Sequence, residues 1–334
     1  MANILITRHD KIGDFVVALP MFKVLKEQRP ELKLIALVSK VNLELAQRID
    51  FIDDVILYDK ANLDHTLAQI KAADIDLSIS AFINTSLAWL LFRSGIKTRI
   101  APATKLAQLL FNRRVVQRRS RVEKREFEYN LDLLHAFDPT LTLRYQQPLL
   151  SFTSEHSQQL IAHFRQTHGL AGERKLLGFH MGSGGSAEGN LSLAHYLALA
   201  KHAAAQPNSA VVFTFGPDDT ALKAQLEAQL DFPAIIFDSS SSIADFTTLL
   251  SHFSLLVSTS TGPMHLAAAN NIATFSFFGE NLVSTPARWA SVSEAHKQHN
   301  IILPNGYSDI DFQRITDEFS TFLKQLSLST PSPE

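Results

Sequence analysis

A pattern of short apolar, β-branched runs alternating with longer amphipathic stretches passes through this chain twice, and few folds can accommodate it. The first pass predicts strands at 3–7, 32–38, 55–58 and 77–80, followed in turn by helices at 15–28, 42–48, 63–72 and 86–94. After a less regular, basic middle the pattern restarts, with strands at 175–180, 210–215 and 235–237 and helices at 193–205, 218–230 and 243–251. An apolar strand around 253–257, a helix at 264–269 and a last strand at 273–278 complete it. Such alternation implies parallel sheets with helices on both faces. Two passes imply two doubly wound, Rossmann-like α/β domains, and 334 residues suffice for both. The restart lies near 148–155, so the expected division is 1–150, 151–326 and a frayed tail, 327–334, of Ser, Thr and Pro.

Composition removes several function classes. With no cysteine, disulfides, thiolate catalysis and cysteine zinc sites are excluded. A formal net charge of −2 means the molecule as a whole is not a polyanion binder. Residues 1–10 place Arg8-His9-Asp10 directly behind a short apolar run, which is not the form of a signal peptide. No run approaches the roughly 18 apolar residues of a membrane span. A cytoplasmic protein is expected. Asp74-x-Asp76 has metal-ligand spacing but precedes a buried strand, where it reads as a cap or a solvated edge, so no metal is expected.

In doubly wound sheets ligands bind beyond the carboxyl ends of strands, and three polar loops fall there. The first is Thr7-Arg8-His9-Asp10-Lys11-Ile12-Gly13-Asp14. Asp14 would stand at a helix N-terminus, where the dipole favours a carboxylate; it either caps that helix or accepts a proton from a hydroxyl nucleophile. The second is His180-Met181-Gly182-Ser183-Gly184-Gly185-Ser186, which either forms a plain flexible turn or wraps a diphosphate through N–H groups and hydroxyls. It matches neither the P-loop nor the Gly-x-Gly-x-x-Gly fingerprint. The third is Ser258-Thr259-Ser260-Thr261-Gly262-Pro263-Met264-His265. Pro263 suits a first helical turn, and the N–H groups of that turn make an anion site, unless the loop is an ordinary capped turn. His265 is either a packing residue or a phosphate or sugar contact.

Taken in order, Arg8-x-Asp10-x-Ile12-Gly13-Asp14 with Leu19-Pro20, Gly182-Ser183-Gly184-Gly185-Ser186, Thr261-Gly262-Pro263-Met264-His265-Leu266-Ala267-Ala268, and Phe278-Gly279 with Pro286-Ala287-Arg288-Trp289 resemble glycosyltransferase family 9, the lipopolysaccharide heptosyltransferases. The resemblance spans about residues 1–320. It implies a GT-B fold, an acceptor-side N-terminal domain facing a donor domain across a cleft, and a last helix that can return to the first domain. It implies inverting, metal-independent transfer of heptose from ADP-heptose to the anionic lipopolysaccharide inner core, with no cofactor beyond the donor. Asp14 takes the place of the catalytic base. Ser183, Gly184, Gly185, Ser186, Ser260, Thr261, Gly262, Pro263, Met264 and His265 take the donor-binding places. Two positions depart from the family. Ser260 stands where an aspartate usually precedes Thr-Gly-Pro, and Ala187-Glu188-Gly189-Asn190-Leu191-Ser192 lacks the usual cation. Arg8, Lys11 and Arg288 are the cations at motif positions that could replace it. The departures also suit another nucleotide-activated sugar, or a catalytically silent sugar-binding member.

The basic middle carries Arg113, Arg114, Arg118, Arg119, Arg121, Lys124 and Arg125, opposed by Glu123. No nucleic-acid motif accompanies it, so a nucleic-acid partner is not expected. It reads either as a solvated surface segment or, following the resemblance, as an acceptor-capturing surface at the inner face of the inner membrane. Arg8, Lys11, Arg118, Arg119 and Arg121 are the acceptor- or phosphate-binding candidates.

Overall fold

The computed structural model describes residues 2–152, 155–182, 189–239 and 242–328. The chain divides into two compact units, Met1–Leu149 and Leu150–Glu334. In the first, β1 (Asn3–Arg8), α1 (Ile12–Val16), α2 (Leu19–Gln28), β2 (Lys33–Val38), α3 (Lys40–Gln47) and β3 (Asp54–Leu57) lead to α4 (Leu63–Ala72) and β4 (Leu77–Ser80). The unit continues with α5 (Thr85–Arg93), β5 (Thr98–Pro102), β6 (Arg113–Val115) and α6 (Glu126–His135). Its sheet is wholly parallel in the order β3-β2-β1-β4-β5-β6. β1 and β2 are buried over all but their first residue, and Ile4–Ile6 and Leu34–Val38 read as continuous apolar runs, as expected of strands covered on both faces.

The second unit holds α7 (Glu155–Thr167), β7 (Lys175–His180), α8 (Leu193–Ala204), β8 (Ser209–Phe215), α9 (Thr220–Gln229) and β9 (Ile235–Asp238). Then come α10 (Ile243–Leu250), β10 (Phe253–Thr259), α11 (Gly262–Ala269), β11 (Ala273–Phe278), α12 (Pro286–Trp289), β12 (Gln298–Ile302) and α13 (Asp309–Leu328). The order β9-β8-β7-β10-β11-β12 repeats the first unit's connectivity strand for strand. Each sheet therefore has one switch point, between β1 and β4 and between β7 and β10, where a crevice opens beyond the carboxyl ends. The core of the second sheet packs Phe179, Phe213, Phe275 and Phe277 against α8 and against Ile315, Phe319, Phe322 and Leu323 of α13.

The expected single helix at 15–28 is two helices. Pro20 has no N–H for the carbonyl four residues back, and its ring crowds that carbonyl; α1 closes with Ala18 N–H on Phe15 O, and α2 starts anew with the proline in its first turn. The strand at 273–278 is not the last one: β12 pairs with β11 from Thr274↔Gln298 to Phe278↔Ile302. The basic middle contributes two strands, β5 and β6, at the edge of the first sheet.

Candidate active site

In the first unit the switch-point loop is organised by one guanidinium. β1 ends on Arg8, which is buried at the strand's carboxyl end. Its Nε donates to Asp10 Oδ1 at 2.8 Å, its Nη2 to Asp14 Oδ1, and its Nη1 reaches Glu126 Oε1 at 3.4 Å. Glu126 opens α6 and is also buried; the same oxygen accepts Arg119 Nη1 at 2.5 Å. Asn130, one turn further along α6, donates to Val17 O at 3.0 Å and so ties α6 to the end of α1. Burial opposes the charge on Arg8, but Asp10, Asp14 and Glu126 outweigh it and hold the guanidinium more firmly protonated than usual. The cluster sets two guanidiniums against three carboxylates, one carboxylate in excess. Asp10 carries the strain of that excess: burial first, then the charge of Asp14, push its pKa up to about 6 against the opposing pull of Arg8.

His9, next to Arg8, is buried among Tyr58 and Phe82, with Nε2 3.0 Å from Asn84 Nδ2. Burial, with Lys60 and Arg8 adding to it, lowers its pKa to about 4, so it is neutral at physiological pH. Lys11 occupies the N-cap of α1 and is exposed. The basic segment separates by direction. Arg119 turns inward, its Nε on Gln117 Oε1 at 2.8 Å and its guanidinium carbon 5.6 Å from the Tyr129 ring centre. Arg118 and Arg121 are exposed. Arg119 thus belongs to the Arg8 cluster, which the local sequence could not reveal because Glu126 pairs across 118 residues.

In the second unit, Ser183, Gly184, Gly185 and Ser186 lie outside the described residues, but both flanks of their loop are placed. Asn190 Nδ2 donates to Met181 O at 3.0 Å, closing the loop's two ends, and Tyr196 Oη fixes Asn190 at 2.8 Å. Thr259 Oγ1 donates to Gly189 O at 3.0 Å, so the end of β10 holds the downstream flank. The downstream flank of the second loop and the end of β10 therefore meet at the switch point, together with the Phe278-Gly279 backbone. In the third loop, Thr261 is the N-cap of α11, but its hydroxyl faces Thr259 O at 3.3 Å and no side chain caps the first turn. Ser260, Thr261, Gly262 and Pro263 are partly exposed there. Met264 and His265 point into the core; His265 Nδ1 lies 3.1 Å from Ser291 Oγ, and burial lowers its pKa to about 4. A neutral, buried imidazole brings no charge to a phosphate.

Beside this loop, a cavity of about 360 Å³ opens at the ends of β7 and β8, lined by Met181, Gly182, Asn190, Tyr196, Asp218 and Asp219. The Asp219 carboxylate lies 2.6 Å from where a Cβ on Gly182 would be, so a larger residue there would displace Asp219. Asp218 and Asp219, in the turn after β8, line this cavity and are not among the residues that the loop motifs singled out. Among the described residues no group of His, Asp and Glu side chains could hold a metal ion, and no helix is long and apolar enough to cross a membrane.

Two doubly wound parallel sheets, each with its polar loops at the switch point, define the class by architecture: an α/β protein of the GT-B fold. The chain belongs to glycosyltransferase family 9 (heptosyltransferase), whose model matches residues 65–318. It is 37% identical over 340 aligned positions to a provisionally assigned glycosyltransferase of Haemophilus influenzae, with 98% of each chain covered. The crystal structure of a family 9 glycosyltransferase from Veillonella parvula superposes with a TM-score of 0.82 at 16% identity, covering 98% of both chains. ADP-heptose lipopolysaccharide heptosyltransferase II of E. coli gives 0.79 at 20% identity, covering 97% of this chain and 99% of that one. The E. coli heptosyltransferase WaaC, solved with ADP, gives 0.72 at 16%, with the same coverage.

Proposed function

We propose that this enzyme transfers heptose from ADP-heptose to an anionic lipopolysaccharide core with inversion and without a metal ion. The observation that carries the reading is the Arg8 cluster. It places Asp14 at the carboxyl end of the first sheet's central strand, oriented by a guanidinium that is itself fixed by Asp10 and Glu126. In the proposed step the acceptor oxygen bonds to the anomeric carbon as its proton passes to the Asp14 carboxylate. The bond from that carbon to the diphosphate oxygen breaks, and ADP leaves with the electron pair. The uncapped first turn of α11 and the loop between Met181 and Asn190 would receive the diphosphate, and the cavity bounded by Asp218 and Asp219 the nucleoside. Arg8 is bound by three carboxylates, which leaves Lys11 and Arg288 as the motif-position candidates for the missing donor-side cation.

Ser260, with the cation-free stretch after the glycine-rich loop, favours a second reading in which the donor is a different nucleotide sugar. Calorimetric titration with ADP-heptose, ADP, GDP-mannose and UDP-glucose in metal-free buffer separates the two. Selective ADP-heptose binding, with Asp14→Asn lowering turnover about 10²–10⁴-fold while still binding donor, is expected. Selective binding of another sugar nucleotide replaces the donor. Wild-type turnover in Asp14→Asn removes the base.

A further inference from the structure

From Ala81 to Val122 the chain carries nine Lys and Arg and no Asp or Glu. This stretch also carries most of the first unit's exposed large apolar side chains. Trp89, Phe92, Leu106, Leu109 and Val116 are all outside the core, Leu106 with 86% and Leu109 with 70% of its surface in solvent. Trp89, Phe92, Leu106 and Leu109 lie on two neighbouring elements, α5 and the 106–110 turn. Trp89, Phe92 and Arg93 share a face of α5 at three- and four-residue spacing, and the two rings lie 5.5 Å apart. Leu106 and Leu109 stand on the same side of a 3₁₀ turn, Leu106–Leu110, because that helix repeats every three residues. Arg99 links the two elements: its Nε donates to Leu110 O at 2.8 Å while its guanidinium carbon sits 5.5 Å from the Phe92 ring centre. Along the same stretch the exposed cations are Arg93, Lys97, Lys105, Arg113, Arg114 and Arg118; Arg93 also reaches Asp64 of α4 at 3.5 Å, and Lys105 lies over the Phe82 ring.

Charge is distributed to match. The first unit has twenty-two Lys and Arg against seventeen Asp and Glu, whereas the second has nine against sixteen, so charges of +5 and −7 underlie the overall −2.

We infer that the surface formed by α5 and the 106–110 turn docks on an anionic lipid bilayer, with Trp89, Phe92, Leu106 and Leu109 entering the interface and the arginines and lysines of this stretch meeting lipid phosphates. An exposed tryptophan and two exposed leucines on a stretch rich in exposed cations have the composition of an interfacial anchor. A polyanion such as nucleic acid would use the cations and leave the leucines idle. The cations gain from the negative surface of an anionic leaflet. This inference is independent of the donor assignment, because docking is read without turnover.

The test is flotation of the full chain with vesicles of phosphatidylethanolamine and phosphatidylglycerol, against pure phosphatidylcholine. The chain has two tryptophans, so Trp289→Phe leaves Trp89 as the reporter. Binding to the anionic vesicles alone is expected, with a blue shift of Trp89 emission and at least tenfold weaker partition for Leu106→Ser/Leu109→Ser. Both leucines make little packing contact, so that variant should melt like wild type. The inference fails if wild type does not float with anionic vesicles at low salt. It fails equally if the leucine variant binds as wild type with Trp89 emission unmoved, or if a short DNA duplex binds as tightly as the vesicles; either result would mean a purely electrostatic surface.

Discussion

Gly189 gives the sharpest test of how the second unit's site is held together. Its φ is +71°, and a Cβ built there would lie 2.3 Å from both the Gly279 nitrogen and the Phe278 carbonyl carbon. Those are backbone atoms at the end of β11, and no rotamer change can move them. Gly189→Ala therefore adds two costs: about 1 kcal/mol for a left-handed alanine and about 3 kcal/mol for overpacking against an element that cannot yield. Gly172→Ala supplies the control, since φ there is +66° but nothing lies within 4 Å of the added carbon. For a unit of this size each kcal/mol moves Tm by about 2–4 °C. Calorimetry should then show Tm lower by about 8–16 °C in Gly189→Ala and by about 2–4 °C in Gly172→Ala. Because Gly189 O also accepts the Thr259 hydroxyl, the first variant should lose donor affinity as well, read by the same titrations. Equal Tm losses in the two variants would refute the close backbone approach, and with it the idea that β10 and β11 hold the downstream flank at Gly189.

Two further outcomes follow from the charge network and a third from a buried histidine of the second unit. Glu126→Gln leaves Arg8 and Arg119 without their shared carboxylate, and losing one partner of a buried pair should cost about 3 kcal/mol in urea unfolding; a change under 1 kcal/mol would remove Glu126 from the network. Asp10 titrates near 6 in the folded chain against 3.8 as a free side chain, so its stabilising contribution is present below 3.8 and lost as pH rises through 6. The same ionisation completes the cluster's negative charge, so kcat/KM should climb across pH 6, and Asp10→Asn should shift that limb; an unshifted limb assigns it to another group. His265 behaves oppositely: its pKa is lowered from 6.5 to about 4, so its contribution is present above 6.5 and falls by about 3 kcal/mol as pH drops to 4. Chemical denaturation of His265→Gln between those values should show a correspondingly shallower pH dependence.

The sequence shows most plainly where a strand is covered on both sides. β4 and β7 fall on their expected residues: Leu77-Ser78-Ile79-Ser80 is wholly buried with small serines between its apolar residues, and Leu176–Phe179 forms the apolar centre of β7. β6 and β12 are invisible to the same reading. Arg113-Arg114-Val115 is an edge strand whose arginines face solvent, and Gln298-His299-Asn300 looks polar. His299, however, stacks on Phe275 with ring centres 4.8 Å apart and meets Glu318 of α13 at 2.8 Å. Tertiary partners, rather than local apolarity, make those segments strands. The site divides in the same way. Loops at the switch points announce themselves by glycine, hydroxyls and Pro263. The use of Arg8, Arg119 and Glu126 as one unit depends on contacts across more than a hundred residues, which no local spacing encodes.

A carboxylate shared by two guanidiniums also restricts how this enzyme can diverge. With Arg8 committed to Asp10 and Asp14, a lineage that replaces Glu126 by a neutral residue strands the inward-turned Arg119, and one that loses Arg119 leaves a surplus buried carboxylate. Tolerated histories pass through both positions together. Across descendants of this sequence, residues 119 and 126 should be inherited as a pair, while exposed neighbours such as Arg118 and Arg121 drift independently of them.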